Sequence, residues 1–318
     1  MIDLCFIIPC YNSAQTIEKT LNSVFSQKTT FKFEVIVIDN GSTDTTRDIV
    51  GKFDLALLYE SVKGANHARN LGIKHANSKY VAFVDSDVVL AEDWMESLLN
   101  YIKENKLLAA QGQVVLKGLD DSLLNRYRTS FTNKGPSNWI SLVTSNKNVG
   151  HINTAACIYE LKTLRSVKGF SQTLPIHEDV DLTYKIRSLP DGSIGATAFA
   201  VAHCFYSGSM LSYFKRALVY GYYSALLRKK WKISSKQESI MMVSKGRGSN
   251  LVLDIILLGL SNIGTLWGQI VFSIVTPTGL AHEQSFIERI SSISIRKTIK
   301  VYFENIELDT MTTPRSNV

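Results

Sequence analysis

Short apolar runs alternate with amphipathic segments over the first hundred residues, and this alternation constrains the fold more than any other feature of the chain. The apolar runs are rich in β-branched and aromatic residues, which is typical of buried strands, and the segments between them repeat apolar residues at helical spacing. This pattern predicts an α/β fold: a Rossmann-like, mostly parallel central sheet flanked by helices. The predicted strands are 4–9, 34–39, 55–59 and the run that ends at Asp85.

Polar residues precede the predicted helices and are expected to cap them. Asn12 and Ser13 stand before the first helical segment, and Ser42, Thr43 and Asp44 stand before the second. Their side-chain oxygens can accept hydrogen bonds from the free N–H groups of a first turn. Further helices are predicted from Gly64 to Lys74, from Trp94 to Ile102 and around 214–226, whereas the region 105–205 has a less regular pattern.

The charge of the chain is concentrated in its C-terminal third. The net charge is +7, and residues 205–250 contain nine basic side chains against one acid, Glu238. The apolar segment 251–275 follows with one charge, Asp254, and it suits a membrane-spanning helix, an interfacial helix or a buried soluble helix. Basic residues beside it would attract anionic lipid. Residues 306–318 resemble a flexible tail.

The four cysteines are scattered, with no CxxC pair and no metal-site spacing. We expect buried, reduced thiols. The N-terminal stretch MIDLCFIIP enters a strand-like run directly, so we expect a cytoplasmic protein.

Polar side chains follow three of the predicted strands. These are the stretches 9–12 (PCYN), 39–42 (DNGS) and 85–87 (DSD). Ligands of open α/β sheets bind beyond the carboxyl ends of the strands, so the three stretches should line one site. Asp85 and Asp87 repel each other unless a cation lies between them, and Mg²⁺ prefers such carboxylates together with substrate phosphates. The alternative is a pair of solvated turn aspartates.

Four motifs in order make this chain resemble the family 2 glycosyltransferases of the GT-A fold. They are FIIPCYNSAQTIEKTLNSVFSQ, VIVIDNGSTDTT, GANHARNLGIKHANSKYVAFVDSD and HEDVDLTYKIR. The resemblance runs from residue 4 to about 190 and weakly to about 230. It implies a GT-A catalytic domain over 1–210, with a nucleotide-sugar half at about 1–105 and an acceptor half at about 106–210. A helical C-terminal region at 211–305 would then follow, expected to associate with the membrane.

The resemblance also implies which residues bind the donor. In the family, the loop after the first strand cradles the nucleotide, and the residue at Asp39 contacts its base. Asn40 departs from the aspartate that is common there, which leaves the base preference open. Arg69 could pair with phosphate or with Asp85. The residues assigned to the nucleotide sugar are Pro9, Tyr11, Asn12, Asp39, Gly64, Asn66, Arg69, Asp85 and Ser86.

The metal and the general base follow from the same resemblance. Asp85 and Asp87 match the DxD motif, which coordinates Mg²⁺ or Mn²⁺ on the donor diphosphate, and His203 matches a histidine that completes the metal site in some relatives. His203 suits a core histidine equally well. Asp179 matches the base that deprotonates the acceptor hydroxyl, and Glu178 would position the acceptor. Acids at a helix N-terminus also suit the helix dipole without any catalytic role.

The predicted function is inverting transfer of a sugar, with a UDP-sugar favoured as donor, to a glycan or a lipid-linked acceptor at the cytoplasmic face of the membrane. The chain lacks the QxxRW motif of processive synthases, so we expect single transfers. A sugar nucleotidyltransferase is a first alternative, but the loop PCYNSAQT lacks the glycine and basic residue that a triphosphate would need. A basic nucleic-acid-binding protein is a second, although the positive charge is local and we expect no nucleic-acid partner.

Overall fold

The computed structural model describes residues 2–118, 151–206 and 210–232. Elements are numbered in chain order over these residues. The strands are β1 Ile2–Cys10, β2 Phe33–Asp39, β3 Ala56–Tyr59, β4 Ser78–Val84, β5 Val88–Leu90, β6 Ala109–Gly118, β7 Ala156–Glu160 and β8 Ile194–Tyr206. The helices are α1 Ile17–Phe25, α2 Thr46–Val50, α3 Ala65–His75, α4 Trp94–Glu104, α5 Leu161–Ser166, α6 Glu178–Arg187 and α7 Met210–Trp231.

One sheet of eight strands, in the order β3-β2-β1-β4-β7-β6-β8-β5, forms the centre of the molecule. The first four strands of that order are parallel, as predicted. The other half is mixed: β7 runs antiparallel to both β4 and β6, β8 runs parallel to β6, and β5 runs antiparallel to β8. The fold is therefore α/β with flanking helices, and its antiparallel pairings lie at β7 and β5.

Both faces of the sheet are buried, which explains why the first strand is apolar throughout. Leu4, Phe6 and Ile8 pack on one face with residues of α1 and α4. Cys5 and Ile7 pack on the other face with residues of α3, α5 and α6. Neighbouring strand residues point to opposite faces, so a strand covered on both sides has no polar alternation.

The capping prediction for α1 was wrong. The helix begins at Ile17, and no side chain caps it. The Asn12 side chain instead accepts a hydrogen bond from the Thr43 N–H at 2.8 Å, and Ser13 contacts Ser86. Both side chains therefore make contacts between loops, because the loop after β1 packs against loops that are distant in the sequence.

At α2 the cap position is held by Thr45, whose side chain makes no capping hydrogen bond. Of the three residues predicted to cap this helix, Asp44 bonds to its first residue, since Asp44 Oδ1 accepts from the Thr46 N–H at 3.0 Å. All four cysteines are buried free thiols, which confirms that prediction.

Within the described ranges, no helix is long and apolar enough to cross a membrane. The apolar segment 251–275, the part of the basic region beyond residue 232 and the tail 306–318 lie outside those ranges.

Candidate active site

The loops after β1, β2 and β4 meet at the carboxyl ends of these strands. The backbone N–H of Asn12 donates to Ser42 Oγ at 2.9 Å, which joins the first loop to the second. Ser13 Oγ lies 2.8 Å from Ser86 Oγ, which joins the first loop to the DxD segment. The structure thus brings together the three polar stretches that the sequence predicted to line one site. Ser13, which sequence reasoning had used only as a helix cap, is the connecting residue.

Asp39 lies at the bottom of this site and is fully buried. Its Oδ1 and Oδ2 atoms are 3.1 and 3.3 Å from the Ser42 N–H, and its Oδ2 lies 3.3 Å from Arg47 Nε. One charge-assisted contact and a backbone donor therefore offset the cost of burying the carboxylate.

Asn40 stands where the resemblance implied an aspartate, and its contacts require an amide. The Asn40 amide group donates to the carbonyl oxygens of Glu60 and Val62 at 2.9 and 2.8 Å, and its Oδ1 accepts from the Gly64 N–H at 2.7 Å. A carboxylate could not donate to those carbonyls. Asn40 therefore ties the loop after β2 to the loop before α3.

Lys63 contacts the loop after β2 and the ring of Tyr11. Its Nζ donates to the carbonyl oxygens of Asn40 and Gly41 at 2.8 and 3.2 Å, and it lies 3.8 Å from the centre of the Tyr11 ring. Burial lowers the pKa of Lys63, with Asp39 opposing that effect. One face of the Tyr11 ring is thus covered by a cation, an arrangement stabilised by the ring quadrupole.

Gly64 immediately precedes α3, and Asn66 is the second residue of that helix. Gly64 adopts φ 135°, which favours glycine, and a Cβ there would come within 2.4 Å of Asn66 Oδ1. The Asn66 amide nitrogen donates to the Ser171 carbonyl at 2.9 Å. Asn66 Oδ1 is buried and has no hydrogen-bond partner among the residues described.

Arg69, one turn further along α3, joins the two acidic motifs. Its Nη2 is 2.8 Å from Asp85 Oδ1 and its Nη1 is 2.9 Å from Glu178 Oε1. The guanidinium is buried and lies over the Phe170 ring at 5.5 Å. Burial disfavours the charged form, but Asp85 and Glu178 outweigh it and raise the pKa of Arg69. The sequence left phosphate and Asp85 open as partners of Arg69, and in the structure Arg69 contacts Asp85.

Asp87 lies deeper than Asp85. It is 2% exposed, its carbonyl accepts from the Phe205 N–H at 2.9 Å, and its Oδ1 lies 3.9 Å from Cys204 Sγ. Adjacent residues of a strand face opposite ways, so His203 faces away from the side of β8 that meets Asp87. Burial, together with the charge of Lys117, lowers the pKa of His203.

The described part of the chain contains no group of three or more His, Cys, Asp or Glu side chains that could hold a metal ion. Two carboxylates still fit a Mg²⁺ or Mn²⁺ ion that takes its other ligands from substrate phosphates and water.

Glu178 and Asp179 form the first turn of α6. The preceding residue, His177, adopts φ 63°, a left-handed conformation that turns the chain into the helix. Burial, with the charge of Asp179, raises the pKa of Glu178 to about 7 although Arg69 opposes the shift. Asp179 Oδ1 accepts from the Val180 N–H at 2.8 Å.

His151 lies beside the predicted base. Its Nε2 is 3.8 Å from Asp179 Oδ2. No sequence signal pointed to it, because the two residues are brought together only by the fold. Residues 153–155 adjoin the site, since the Ala155 carbonyl accepts from the Asp85 N–H at 3.0 Å.

Asp181, in the same turn of α6, is fully buried in ion pairs with Lys185 and Lys230 at 3.3 and 2.6 Å.

Residues 5–166, just over half of the chain, match the model of glycosyl transferase family 2. The chain belongs to this family. The family model thus covers the DxD segment and Arg69, whereas Glu178, Asp179 and α7 lie beyond its end.

Curated relatives of this family 2 chain are also named as glycosyltransferases or polysaccharide synthases. It is 28% identical over 188 residues to a pre-mycofactocin glycosyltransferase of Mycobacterium tuberculosis, a match that covers 58% of this chain and 39% of the relative. It is 29% identical over 195 residues to a poly-beta-1,6-N-acetyl-D-glucosamine synthase of Staphylococcus epidermidis, which covers 58% of this chain and 45% of the relative. The matched region is thus less than half the length of these relatives.

Solved structures share the fold of this family 2 chain. S. aureus TarS 1-349 in complex with UDP-GlcNAc superposes with a TM-score of 0.53 at 19% identity, covering 98% of this chain and 90% of that one. The mannosyltransferase PcManGT from Pyrobaculum calidifontis, in complex with GDP-Man and Mn²⁺, superposes with a TM-score of 0.55 at 16% identity, covering 97% and 85%. The predicted GT-A fold is therefore confirmed.

Proposed function

We propose that this protein is an inverting glycosyltransferase that moves a sugar from a nucleoside-diphosphate donor to an acceptor hydroxyl. The observation that carries the proposal is the double ion pair of Arg69. One buried guanidinium contacts Asp85 of the DxD segment and Glu178 of the acid pair. These motifs lie 93 residues apart in the sequence, and a donor diphosphate held at one would present its sugar close to the other.

The donor is proposed to be a UDP-sugar. Tyr11, Asp39 and Asn40 lie at the carboxyl ends of the neighbouring parallel strands β1 and β2, and they are proposed to surround the base. Solved proteins of the same fold are in complex with UDP-GlcNAc and with GDP-Man, which supports a nucleoside-diphosphate sugar as the donor class. The proposed donor contacts are Pro9, Tyr11, Asn12, Asp39, Gly64, Asn66, Arg69, Asp85 and Ser86.

Asp85 and Asp87 are proposed to hold Mg²⁺ or Mn²⁺. When bound, such an ion neutralises the charge that develops on a departing diphosphate. His203 is left out of this ligand set because the strand geometry turns its side chain away from Asp87. Arg69 keeps the Asp85 carboxylate in place and adds positive charge beside it.

Asp179 is proposed to act as the general base. Its carboxylate takes the proton of the acceptor hydroxyl while that oxygen forms a bond to the anomeric carbon and the bond from this carbon to the diphosphate oxygen breaks. A single displacement inverts the configuration. Glu178, held by Arg69, would position the acceptor, and a positioned carboxylate base contributes a typical factor of about 10²–10⁴.

The acceptor is proposed to be a glycan or a lipid-linked sugar, with the protein at the cytoplasmic membrane surface. A poly-beta-1,6-N-acetyl-D-glucosamine synthase among the relatives supports work on polysaccharide. The exposed Lys229 at the end of α7 and the excess of basic residues in 205–250 support contact with anionic lipid headgroups.

A panel of UDP-, GDP-, dTDP- and CMP-sugars, each with and without Mn²⁺, tests the proposal by thermal shift and by nucleotide release. We expect one nucleotide class to stabilise the wild type in a metal-dependent way, and Asp87→Asn to abolish that effect. Asp48→Ala, which removes an exposed carboxylate on α2, is the control and should behave as the wild type. A wild type that neither binds nor hydrolyses any of these sugars would refute the proposed function.

A further inference from the structure

Helix α7 packs directly against the helix that carries the proposed base. The side chains of Leu226 and Leu227 on α7 are buried with Leu174 and Val180, the latter on the first turn of α6. This contact lies beyond the region that the family model covers. Polar contacts beside this apolar contact add directional constraints to the relative position of α6 and α7, because hydrogen bonds weaken steeply when their geometry is distorted.

The first polar contact acts on the residue that precedes the acid pair. His177 Nε2 lies 3.1 Å from the Tyr220 carbonyl oxygen and 3.0 Å from Ser224 Oγ. Ser224 Oγ itself donates to the Tyr220 carbonyl, which can only accept. The consistent assignment gives Nε2 the proton and makes Ser224 an acceptor from His177. Burial lowers the pKa of His177, in keeping with a neutral ring.

The second polar contact lies one turn further along α6. Trp231 Nε1 donates to Asp181 Oδ1 at 2.8 Å, and Lys230 Nζ lies 2.6 Å from the same oxygen. The Trp231 ring also stacks on Tyr184 with 5.3 Å between ring centres and 24° between planes. The fully buried Asp181 carboxylate is therefore held by groups from both helices.

The spacing of these contacts fixes an orientation. His177 and Asp181 are one helical turn apart, and Ser224 and Trp231 are seven residues apart, about 10 Å along α7. A single contact would leave a pivot, whereas two contacts at this separation prevent rotation about either of them. Glu178 and Asp179 lie between the two points on α6.

We propose that Ser224 and Trp231 are positioning residues, which hold the first turn of α6 so that the Glu178 and Asp179 carboxylates face the site beside Arg69. This inference rests on the proposed function, because it assigns the two residues to the geometry of the proposed base. It gives α7 a role in catalysis without contact with the donor.

The test uses Ser224→Ala and Trp231→Phe in the full chain. The first removes the hydroxyl that His177 contacts, and alanine is a better helix former than serine, so any loss comes from the contact. The second keeps an aromatic ring beside Tyr184 and removes the indole donor. Ser26→Ala is a matched control, since Ser26 Oγ donates to the carbonyl four residues earlier in an exposed position.

Two measurements are made on each variant. Amide hydrogen exchange of residues 177–182 should quicken by roughly five- to tenfold in Ser224→Ala and Trp231→Phe, the effect of losing one hydrogen bond, while peptides of α1 and α3 stay unchanged. Turnover of the active nucleotide sugar should fall roughly ten- to a hundredfold with the donor KM unchanged, because a displaced base costs rate without weakening donor binding.

The double variant should lose more turnover than either single variant, because each single variant keeps the other contact point, and the contacts of His177 with the Tyr220 carbonyl and of Lys230 with Asp181 remain. Unchanged exchange at 177–182, or faster exchange with turnover equal to the control, would overturn the inference. A wild type without turnover on any nucleotide sugar would overturn the proposed function instead, and amide exchange alone would then decide whether the two contacts hold α6.

Discussion

Arg69 is the residue on which the electrostatics of the site depend. Its side chain is 4% exposed, and the two carboxylates that it contacts are 25% and 15% exposed. A buried ion pair adds little over an apolar replacement of the whole group, but removing one partner leaves an uncompensated charge. The sequence predicted that Arg69, Asp85 and Glu178 belong to one site. It did not predict that Arg69 pairs with both acids, because 109 residues separate Arg69 from Glu178.

Arg69→Met should lower the free energy of unfolding by about 3–5 kcal/mol at neutral pH, since the Asp85 carboxylate would keep its charge without its cation. Arg69→Lys should recover part of the loss, because one ammonium cannot reach both carboxylates in the forked geometry. Urea denaturation measures both values. An Arg69→Met protein within 1 kcal/mol of the wild type would show that the ion pairs are not structurally required.

The stability of the wild type should depend on pH through Glu178. Burial and Asp179 raise the pKa of Glu178 from an ordinary value of 4.5 to about 7 in the folded protein. The folded state therefore holds the proton more tightly, and stability falls as pH rises from 4.5 to 7. The wild type should lose up to about 3 kcal/mol over this interval relative to Glu178→Gln, which cannot titrate. Parallel unfolding curves of the two proteins from pH 4.5 to 7.5 would contradict the raised pKa.

At the level of elements, the strands and helices of the first half could be predicted, because periodicity and local propensity decide them. The predicted strands at 34–39 and 55–59 became β2 Phe33–Asp39 and β3 Ala56–Tyr59. The start of α1 could not be predicted in the same way, because the presumed capping residues Asn12 and Ser13 bond instead to Thr43 and Ser86. Only the fold brings these residues near. Local pattern also gave little guidance over 105–205, where strand pairing is long-range.

Helix α3, which positions Arg69, packs on β1 at Gly72. A Cβ at this glycine would come within 2.5 Å of Ile7 Cγ2 and 2.9 Å of Ile7 Cδ1. Gly72→Ala should therefore destabilise the protein by about 1–3 kcal/mol by overpacking, even though alanine favours helix. It should also weaken nucleotide binding, since α3 would have to move away from β1 together with Arg69.

The matched control is Gly51→Ala at the end of α2. Gly51 has φ −62°, and the nearest atom to an added Cβ is the Arg47 carbonyl oxygen at 3.3 Å. That variant should be within about 1 kcal/mol of the wild type or slightly more stable. Equal thermal unfolding temperatures for the two variants would mean that the contact between Gly72 and Ile7 is not tight in solution.

At the scale of the whole molecule, the α/β class and the parallel first half followed from the sequence, and the family relationship followed from four motifs in order. The antiparallel position of β7 between β4 and β6 did not follow from the sequence. A strand of five residues contains no local sequence pattern that identifies the strand with which it pairs. Individual site residues were predicted best where the motifs directly follow strands. They were predicted worst where the site depends on contacts between α6 and α7.

The full chain should bind anionic vesicles. The excess of basic residues in 205–250 and the apolar segment 251–275 predict sedimentation with vesicles that contain phosphatidylglycerol and weak or no sedimentation with neutral phosphatidylcholine at low salt. Binding should weaken as salt rises from 50 to 500 mM, because surface charges are screened. Equal binding to neutral and anionic vesicles would assign the association to apolar insertion alone, and no binding to either would refute it.

The position of β7 also limits how the protein can move. Five register pairs, from Tyr80 opposite Glu160 to Val84 opposite Ala156, join the strand before the DxD segment to the second half of the chain. The predicted donor and acceptor halves therefore share one hydrogen-bonded sheet, and opening a cleft between them would break that ladder. A catalytic cycle on this framework has to admit and release its substrates by rearranging loops over a fixed platform, without hinged closure of two lobes.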